Sequence, residues 1–103
     1  MELIETALFT KQVQAAFSDA EYRAFQLHLI FRPAAGDVIP GTGGLRKIRW
    51  RALGRGKRGG VRIIYYLRSS AGQIILVFLY PKNVRADLSV AELRALRNQI
   101  AVD

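Results

Sequence analysis

The sequence predicts an α+β fold in the order β-α-α-β-β-β-α, an antiparallel sheet with two N-terminal helices and one C-terminal helix. Two Ser-x-x-Glu segments each have the pattern of a helix start. Between them, apolar and polar side chains begin to alternate, as in strands, and glycine-rich segments separate the alternating runs. The chain has 103 residues, of which 50% are hydrophobic, so we expect a single domain over residues 1–103.

The first quarter of the chain predicts a short strand and then two helices. Leu3–Phe9 has residues that are compatible with a strand, and Thr10 can cap a short helix that runs to about Phe17. Ser18 and Glu21 then form a capping box, in which each side chain bonds the backbone of the other residue. This pattern predicts that the second helix begins after Ser18.

The second helix is predicted to pack on the core along one side. Phe17 and Tyr22 stand where a hydrophobic staple closes over the helix start. Helical spacing directs one set of side chains inward: Tyr22, Phe25, Leu29, Ala24, Leu27 and Ile30. Pro33 and Gly36 end the helix, and a loop follows from Gly36 to Gly44.

From Leu45 the period changes to two, which predicts the first strand of a three-strand antiparallel meander. Ile48 and Trp50 point to one side, and we expect Trp50 to pack in the core. The other side carries a row of cations: Lys47, Arg49 and Arg51. A basic, glycine-rich loop over residues 54–60 then leads to the next strand.

The second and third strands of the meander are predicted over Val61–Arg68 and Gln73–Tyr80, joined by a tight link at Ser69–Gly72. In the first of them, alternation places one set of side chains on the cationic side: Arg62, Ile64, Tyr66 and Arg68. The opposite set is Val61, Ile63, Tyr65 and Leu67. The last strand is almost entirely apolar, which is typical of a strand covered on both faces, and we expect Tyr80 at the rim of the cationic side.

The C-terminal helix is predicted from a second capping box, formed by Ser89 and Glu92. Leu88 and Leu93 stand at its staple positions. Leu93, Leu96 and Ile100 recur at helical spacing and should dock on the sheet, with Arg94 and Arg97 on the exposed side.

The charge of the chain lies mainly in its middle. The formal net charge is +8, yet Val38–Ala86 contains eleven Lys and Arg residues and no Asp or Glu. Acids usually intersperse a solvated charged surface, and here they are missing, while the cations alternate along strands and so converge on one face. The sequence therefore predicts a protein that binds a polyanion.

The composition excludes several kinds of site. The chain has no Cys, which excludes disulfides, thiolate zinc sites and thiol nucleophiles. His28 is the only His, which excludes a two-histidine ribonuclease site, and we expect it to lie partly buried on the second helix. Because the basic middle has no cluster of His or carboxylates, we expect no metal and no cofactor. Gly54, Gly56 and Gly59 match a dinucleotide-binding motif, but a strand follows where that motif needs a helix.

No targeting or membrane segment is expected. Met1–Glu5 carries acids where a signal peptide needs positive charge. The longest apolar run, Ile74–Tyr80, is too short to span a bilayer. We therefore expect a soluble, cytoplasmic protein with no membrane partner.

Four segments occur together in a specific order: Ile39–Trp50, Gly56–Tyr66, Tyr80–Asn83 and Asp87–Ser89. Together they resemble the RelE/HigB-like toxins of type II toxin–antitoxin systems, and the HigB branch is the nearest. The resemblance extends over essentially the whole chain. It implies a microbial ribonuclease-like domain with two N-terminal helices on one side of an antiparallel sheet.

The resemblance also implies a function. Toxins of this kind enter the A site of the 70S ribosome, cleave the mRNA there and inhibit translation. The implied activity is a metal-independent, ribosome-dependent endoribonuclease, or mRNA interferase. The implied partners are the ribosome, mRNA and a cognate antitoxin with a helix-turn-helix domain, of the HigA-like kind.

Site residues follow from the resemblance position by position, and the implied catalytic set is Lys47, Arg49, Arg62, Lys82 and Tyr80. Arg49 and Arg62 suit electrostatic stabilisation of the reacting phosphate, while Lys47 or Lys82 could act as base or acid. Some relatives carry a catalytic tyrosine in the C-terminal segment, and after Lys82 this chain has none. Tyr80, Tyr65 or Tyr66 would then substitute for it, or the reaction proceeds without a tyrosine. The cations assigned to RNA and ribosome binding are Arg46, Arg51, Arg55, Lys57, Arg58, Arg68, Arg94 and Arg97.

Two alternatives remain open at the level of sequence. ParE-like toxins share the fold and poison DNA gyrase without cleaving RNA, but they generally lack a set such as Lys47, Arg49, Arg62 and Lys82. The other alternative is a plain nucleic-acid-binding module, which charge alone would satisfy.

Overall fold

A computed structural model describes residues 1–51, 60–85 and 87–100. It has both helices and a sheet, which confirms the predicted α+β fold class. Its elements in chain order are β1 (Glu2–Glu5), α1 (Ala7–Ala16), α2 (Asp19–Phe31), β2 (Asp37–Val38), β3 (Leu45–Trp50), β4 (Val61–Arg68), β5 (Gln73–Pro81) and α3 (Val90–Asn98). The strands form one open sheet in the order β1-β5-β4-β3-β2. A short 3₁₀ turn at Ser69–Ala71 joins β4 to β5, where a tight link is predicted.

The sheet differs from the prediction at both edges, by a parallel pairing at one and an extra antiparallel strand at the other. The meander of β3, β4 and β5 is antiparallel as predicted, but β1 pairs in parallel with β5. The chain returns from β1 through α1 and α2 before it enters the meander, and such a long crossover permits parallel pairing. At the other edge, Asp37 and Val38 pair with β3 as a short extra strand within the predicted loop.

The first helix begins earlier than the sequence predicts. Thr6 is its N-cap, with the side-chain hydroxyl accepting a hydrogen bond from the Phe9 amide at 3.1 Å. Thr10, the predicted cap, lies inside the helix and donates its hydroxyl proton to Glu5 at 2.6 Å. The Thr10 assignment is therefore wrong by one turn of helix. The two predicted capping boxes, at Ser18 with Glu21 and at Ser89 with Glu92, are both present.

Helices cover both faces of the sheet. Against one face, α1 and α2 bury the larger core, which includes Phe9, Phe25, Leu29, Ile63 and Tyr65. The other face packs against α3 and the segment before it, through Leu45, Ile64, Val77, Leu88, Leu93 and Ile100. Helix α2 buries a narrower stripe than predicted, because Ala24, Leu27 and Ile30 are exposed.

The aromatic side chains of the larger core bear out two predictions. The Trp50 ring packs edge-on against Phe25, with ring centroids 5.3 Å apart, and also lies against the partly buried His28. Tyr65 is fully buried, and its hydroxyl donates to the Pro33 carbonyl and accepts from the Gly36 amide. Trp50 and His28 are thus packing residues, as expected.

A β-bulge in β5 decides which of its side chains face α3. Ile64 of β4 is paired with Phe78, whereas the next residue, Tyr65, is paired with Leu76, so Val77 is the extra residue. Val77 and Phe78 consequently lie on the same face, and the alternation beyond them is reversed. The bulge brings Tyr80 to the α3 side of the sheet.

Across residues 1–51, 60–85 and 87–100, the helices are too short and insufficiently apolar to cross a membrane.

Candidate active site

Three neighbouring strands bring four of the predicted catalytic residues together on the α3 side of the sheet. Arg49 of β3 lies opposite Arg62 of β4, and Arg62 lies opposite Tyr80 of β5. Lys47 is two residues before Arg49, so it shares the same face. The convergence of cations that alternation predicts is therefore found in the structure, and the bulge adds Tyr80 to it.

The members of this group differ in exposure. Arg62 and Tyr80 are buried, with relative exposures of 7% and 4%, whereas Lys47 is half-buried and Arg49 is exposed. Arg62 donates a long hydrogen bond of 3.4 Å to the Val61 carbonyl. The buried pair forms a floor, above which the two side chains of β3 reach toward solvent.

Asp87 is an acidic member of the site for which the sequence predicts no role, although it begins one of the four segments that carry the resemblance. Its Oδ1 atom accepts a hydrogen bond from Lys47 Nζ at 3.0 Å and another from the Tyr80 hydroxyl at 3.3 Å. Asp87 is the first acid after the acid-free stretch and lies two residues before the N-cap of α3. These two features of the sequence single out Asp87, but only the folded chain shows that its side chain reaches residues of β3 and β5.

The ionisation of Asp87 and Tyr80 reflects this arrangement. The hydrogen bond from Lys47 and the charge of its ammonium hold the pKa of Asp87 below its usual value, with a smaller contribution from the charge of Lys82. Burial, followed by the charge and hydrogen bond of Asp87, raises the pKa of Tyr80 to about 12. At neutral pH the site therefore contains a carboxylate and a protonated phenol.

Lys82, the remaining predicted catalytic residue, lies at the edge of this group. Its side chain is exposed, and its backbone amide donates to the Gly60 carbonyl at 3.1 Å. Its charge acts on Asp87, which places it near the site.

The cations assigned to RNA binding are spread over several surfaces. Arg46 points to the opposite face of the sheet and donates to the carbonyl of Gly36 at 2.8 Å. Arg68 is half-buried at the far end of β4 and donates to Gln73. Arg51 is exposed just after β3. Arg55, Lys57 and Arg58 lie outside the described residues.

Arg94 and Arg97 hold the glycine-rich segment before β3. Arg94 donates to the Gly41 carbonyl at 2.8 Å, and Arg97 donates to the Gly43 carbonyl at 3.0 Å. The Arg97 guanidinium also lies 4.2 Å from the centre of the Tyr66 ring. Arg94 is exposed as predicted, whereas Arg97 is half-buried because it is packed between Tyr66 and this segment.

Tyr65 and Tyr66 divide between the two faces, as expected, and Tyr66 is the one on the α3 side. Its ring lies beneath Arg97. Tyr80 is therefore the tyrosine whose hydroxyl contacts the cation–carboxylate group. In the part of the chain that the structure describes, no three His, Asp or Glu side chains come close enough to hold a metal ion.

Comparison with known proteins decides the family. The family described as the RelE toxin of the RelE/RelB toxin–antitoxin system matches residues 37–102, which is more than half of the chain and includes the whole candidate site. The chain belongs to the RelE toxin family. RelE-family toxins are ribonucleases, and each has a cognate antitoxin as its partner.

A solved structure supports the fold of this RelE-family chain. It is that of the E. coli toxin RelE, in the free state and with two arginines replaced by alanine. The match has a TM-score of 0.62 and 13% sequence identity, and it covers 93% of this chain and 95% of that chain. The predicted resemblance is thus confirmed at the level of the family, while the HigB branch stays a prediction.

Proposed function

We propose that this RelE-family toxin is a ribosome-dependent endoribonuclease, which cleaves mRNA in the A site without a metal ion. The observation that carries the proposal is the grouping of Lys47, Arg49, Arg62 and Tyr80 on one side of the sheet. Three cations and a phenol at adjacent positions suit an RNA phosphate, on which negative charge grows as it reacts. We propose that one domain, residues 1–103, carries the whole site.

In the proposed reaction, the ribose 2′-oxygen attacks the adjacent phosphorus and the bond from phosphorus to the 5′-oxygen breaks. The 2′-hydroxyl loses a proton and the leaving 5′-oxygen gains one, so the products are a cyclic phosphate and a 5′-hydroxyl. Arg49 and Arg62 stabilise the charge on the phosphate oxygens, because a guanidinium can bond two such oxygens at once. Lys82 adds positive charge at the edge of the site.

Dependence on the ribosome is supported by the openness of the site. Arg49, Lys82 and Asp87 are exposed, so in the described part of the chain this group lies on an open surface. An enzyme with an open active site gains a large rate advantage when a second macromolecule holds the RNA in the reactive geometry. We propose that the ribosome supplies this positioning.

Contacts with ribosomal RNA are proposed for the exposed Arg51 and for Arg55, Lys57 and Arg58, which follow it in the sequence. Such contacts are charge-driven and independent of base sequence, and they weaken as salt is added. Arg94 and Arg97 can add to the attraction for ribosomal RNA through their positive charge, while they also hold the segment before β3. The proposed antitoxin is of the HigA-like, helix-turn-helix kind, and we propose that the toxin acts in the cytoplasm.

The proposed function is tested by primer extension on a translated message after the toxin is induced. We expect cuts in phase with codons, and we expect Lys82→Ala and Arg62→Ala to relieve growth arrest. Arg23→Ala, which removes an exposed cation of α2, is the matched control and should remain toxic. Intact mRNA with DNA damage would favour a gyrase poison, and RNA binding without an effect on translation would favour a plain binding module.

A further inference from the structure

Asp87 contacts two of the proposed catalytic residues, and its part in the reaction can be inferred from how it holds them. We propose that Asp87 is a positioning residue, which holds the Lys47 ammonium and the Tyr80 hydroxyl side by side, where both can donate to the substrate phosphate. The proposal rests on the proposed endoribonuclease function and adds a residue to its site.

The geometry shows a convergence on one oxygen atom. Lys47 Nζ and the Tyr80 hydroxyl donate to the same Oδ1 atom, at 3.0 and 3.3 Å. Two donors that share one acceptor must lie close to each other, although they come from β3 and β5, with β4 between them. Phosphate oxygens accept hydrogen bonds from ammonium and hydroxyl groups alike. The Lys47 ammonium has three N–H groups, so it can bond Asp87 and a phosphate at once. The Tyr80 hydroxyl has one proton, which must turn from Asp87 to the phosphate when the substrate arrives.

The backbone around Asp87 is fixed by α3. Leu88 is buried in the core on this face, and Ser89 caps the helix. On the other side, Arg85 donates to the Asp87 carbonyl and forms an ion pair with Glu92 in the first turn of α3. Because these contacts fix Asp87 relative to α3, its carboxylate holds Lys47 and Tyr80 in a defined position beside that helix.

The protonation states allow both residues to act as donors. Lys47 Nζ donates to the Asp87 carboxylate in an ion pair, so it faces the site as a hydrogen-bond donor. The Tyr80 phenol keeps its proton at neutral pH. When the bond to the 5′-oxygen breaks, that oxygen takes its proton from one of these two donors, and the proton of the 2′-hydroxyl leaves to water.

The contribution of this arrangement to folding is small. The side chains of Lys47 and Asp87 are 36% and 62% exposed, and ion pairs between exposed side chains contribute little to stability. Replacing Asp87 should therefore leave the fold and its melting temperature nearly unchanged. An effect on cleavage would then be an effect on the site.

The first experiment separates the rate of cleavage from the affinity for the ribosome. Asp87→Asn keeps the size of the side chain and removes its charge, and single-turnover cleavage on programmed ribosomes is measured over a range of toxin concentrations. We expect the maximal rate to fall about 10- to 100-fold, because misplaced reacting groups cost rates of this order. The concentration for half-maximal rate should stay the same or fall, since a negative charge beside the phosphate is lost.

Two further variants control this result. Asp19→Asn changes the net charge equally at an exposed position at the start of α2, and it should cleave at the wild-type rate. Asp87→Glu keeps the carboxylate and should recover part of the lost rate. A wild-type rate for Asp87→Asn, or a loss that appears only in the half-maximal concentration, would overturn the proposal.

The second experiment does not depend on cleavage by the toxin. It therefore tests the contact between Asp87 and Tyr80 separately from the proposed endoribonuclease function. Tyrosine ring carbons are labelled, the Tyr80 signal is assigned by comparison with Tyr80→Phe, and its titration is followed by NMR. The charged groups acting on Tyr80 are Asp87, Arg62 and Arg85. Loss of the Asp87 charge should lower the pKa of Tyr80, while Asp19→Asn should leave it unchanged.

The two experiments give distinct outcomes. If wild-type toxin does not cleave on ribosomes but Asp87→Asn lowers the pKa of Tyr80, the contact exists and the endoribonuclease proposal fails. If the pKa of Tyr80 is the same in both proteins, the contact that positions Tyr80 is absent and this inference is overturned, whatever the toxin cleaves.

Discussion

Tyr80 lies opposite Arg62 across the ladder between β4 and β5, and both side chains are more than nine-tenths buried. The pairing depends on the bulge at Val77, since without the extra residue Tyr80 would face α1 and α2 instead. Bulges commonly re-aim side chains beside functional sites. The buried arginine and the tyrosine thus form a fixed floor for the candidate active site, which has consequences for how each can be tested.

Arg62 is best tested with a substitution that keeps its length. We expect Arg62→Lys to fold and to lower the single-turnover cleavage rate on programmed ribosomes by about 100-fold or more, because the planar fork that bonds two phosphate oxygens is lost. Arg23→Lys, exposed on α2, is the matched control. Unchanged cleavage by Arg62→Lys at an unchanged melting temperature would contradict the role assigned to Arg62.

Tyr80→Phe removes the hydroxyl that contacts Asp87 and keeps the buried ring. We expect the cleavage rate to fall about 100-fold, because the loss of a proton donor has an effect of this size. The free energy of unfolding should fall by only about 1 kcal/mol, because a single hydrogen bond is lost. Tyr66→Phe is the control on the same face, where Arg97 covers the ring. If both variants cleave equally fast, the Tyr80 hydroxyl takes no part in the reaction.

The parts of the fold that were predicted from the sequence are those that local chemistry determines. Ser18 and Ser89 cap their helices through a glutamate three residues on, so each helix start could be read from four consecutive residues. The alternation in β3 and β4 also identified the face on which Lys47, Arg49 and Arg62 meet. These signals need no knowledge of distant parts of the chain.

The parts that were missed depend on distant contacts. Nothing in Glu2–Glu5 indicates pairing in parallel with β5, because the partner lies some seventy residues away. The nearly uniform apolar character of β5 hides the bulge, since a change of phase is invisible when both faces are hydrophobic. Asp87 belongs to a segment that carries the resemblance, but its role is not predictable from the sequence because its two partners are on β3 and β5.

Gly36 is packed too tightly to accept a side chain. A Cβ atom there would lie 2.7 Å from Cε1 of Tyr65 and 3.1 Å from the Lys47 carbonyl oxygen. We expect Gly36→Ala to lower the free energy of unfolding by about 1–3 kcal/mol, as overpacking does, in urea denaturation. Ala35→Ser, at the exposed neighbouring position, should change it little. A wild-type value for Gly36→Ala would show that Tyr65 can move aside.

Arg97 should matter more for stability than Arg94. Arg97 combines a hydrogen bond to Gly43 with a cation–π contact to Tyr66, whereas the hydrogen bond from exposed Arg94 to Gly41 is shared with solvent. We expect Arg97→Ala to cost about 1–2 kcal/mol in thermal or urea unfolding, and Arg94→Ala to cost less. If neither variant changes stability, but both weaken ribosome binding and its dependence on salt, the RNA-binding assignment is the better one.

Tyr80 should also make the stability of the fold sensitive to alkaline pH. The pKa of Tyr80 is about 12 in the folded protein, above the ordinary value of 10.0, so the unfolded chain loses this proton first. The stabilisation is therefore complete below about pH 10 and is lost as the pH rises toward 12. Urea unfolding at pH 8, 10 and 11.5 measures this loss. Lysine deprotonation acts on wild type and on Tyr80→Phe alike, so the difference between the two proteins isolates the phenol. We expect wild type to lose stability more steeply than Tyr80→Phe above pH 10, and parallel curves would show that the Tyr80 proton is not retained in the folded state.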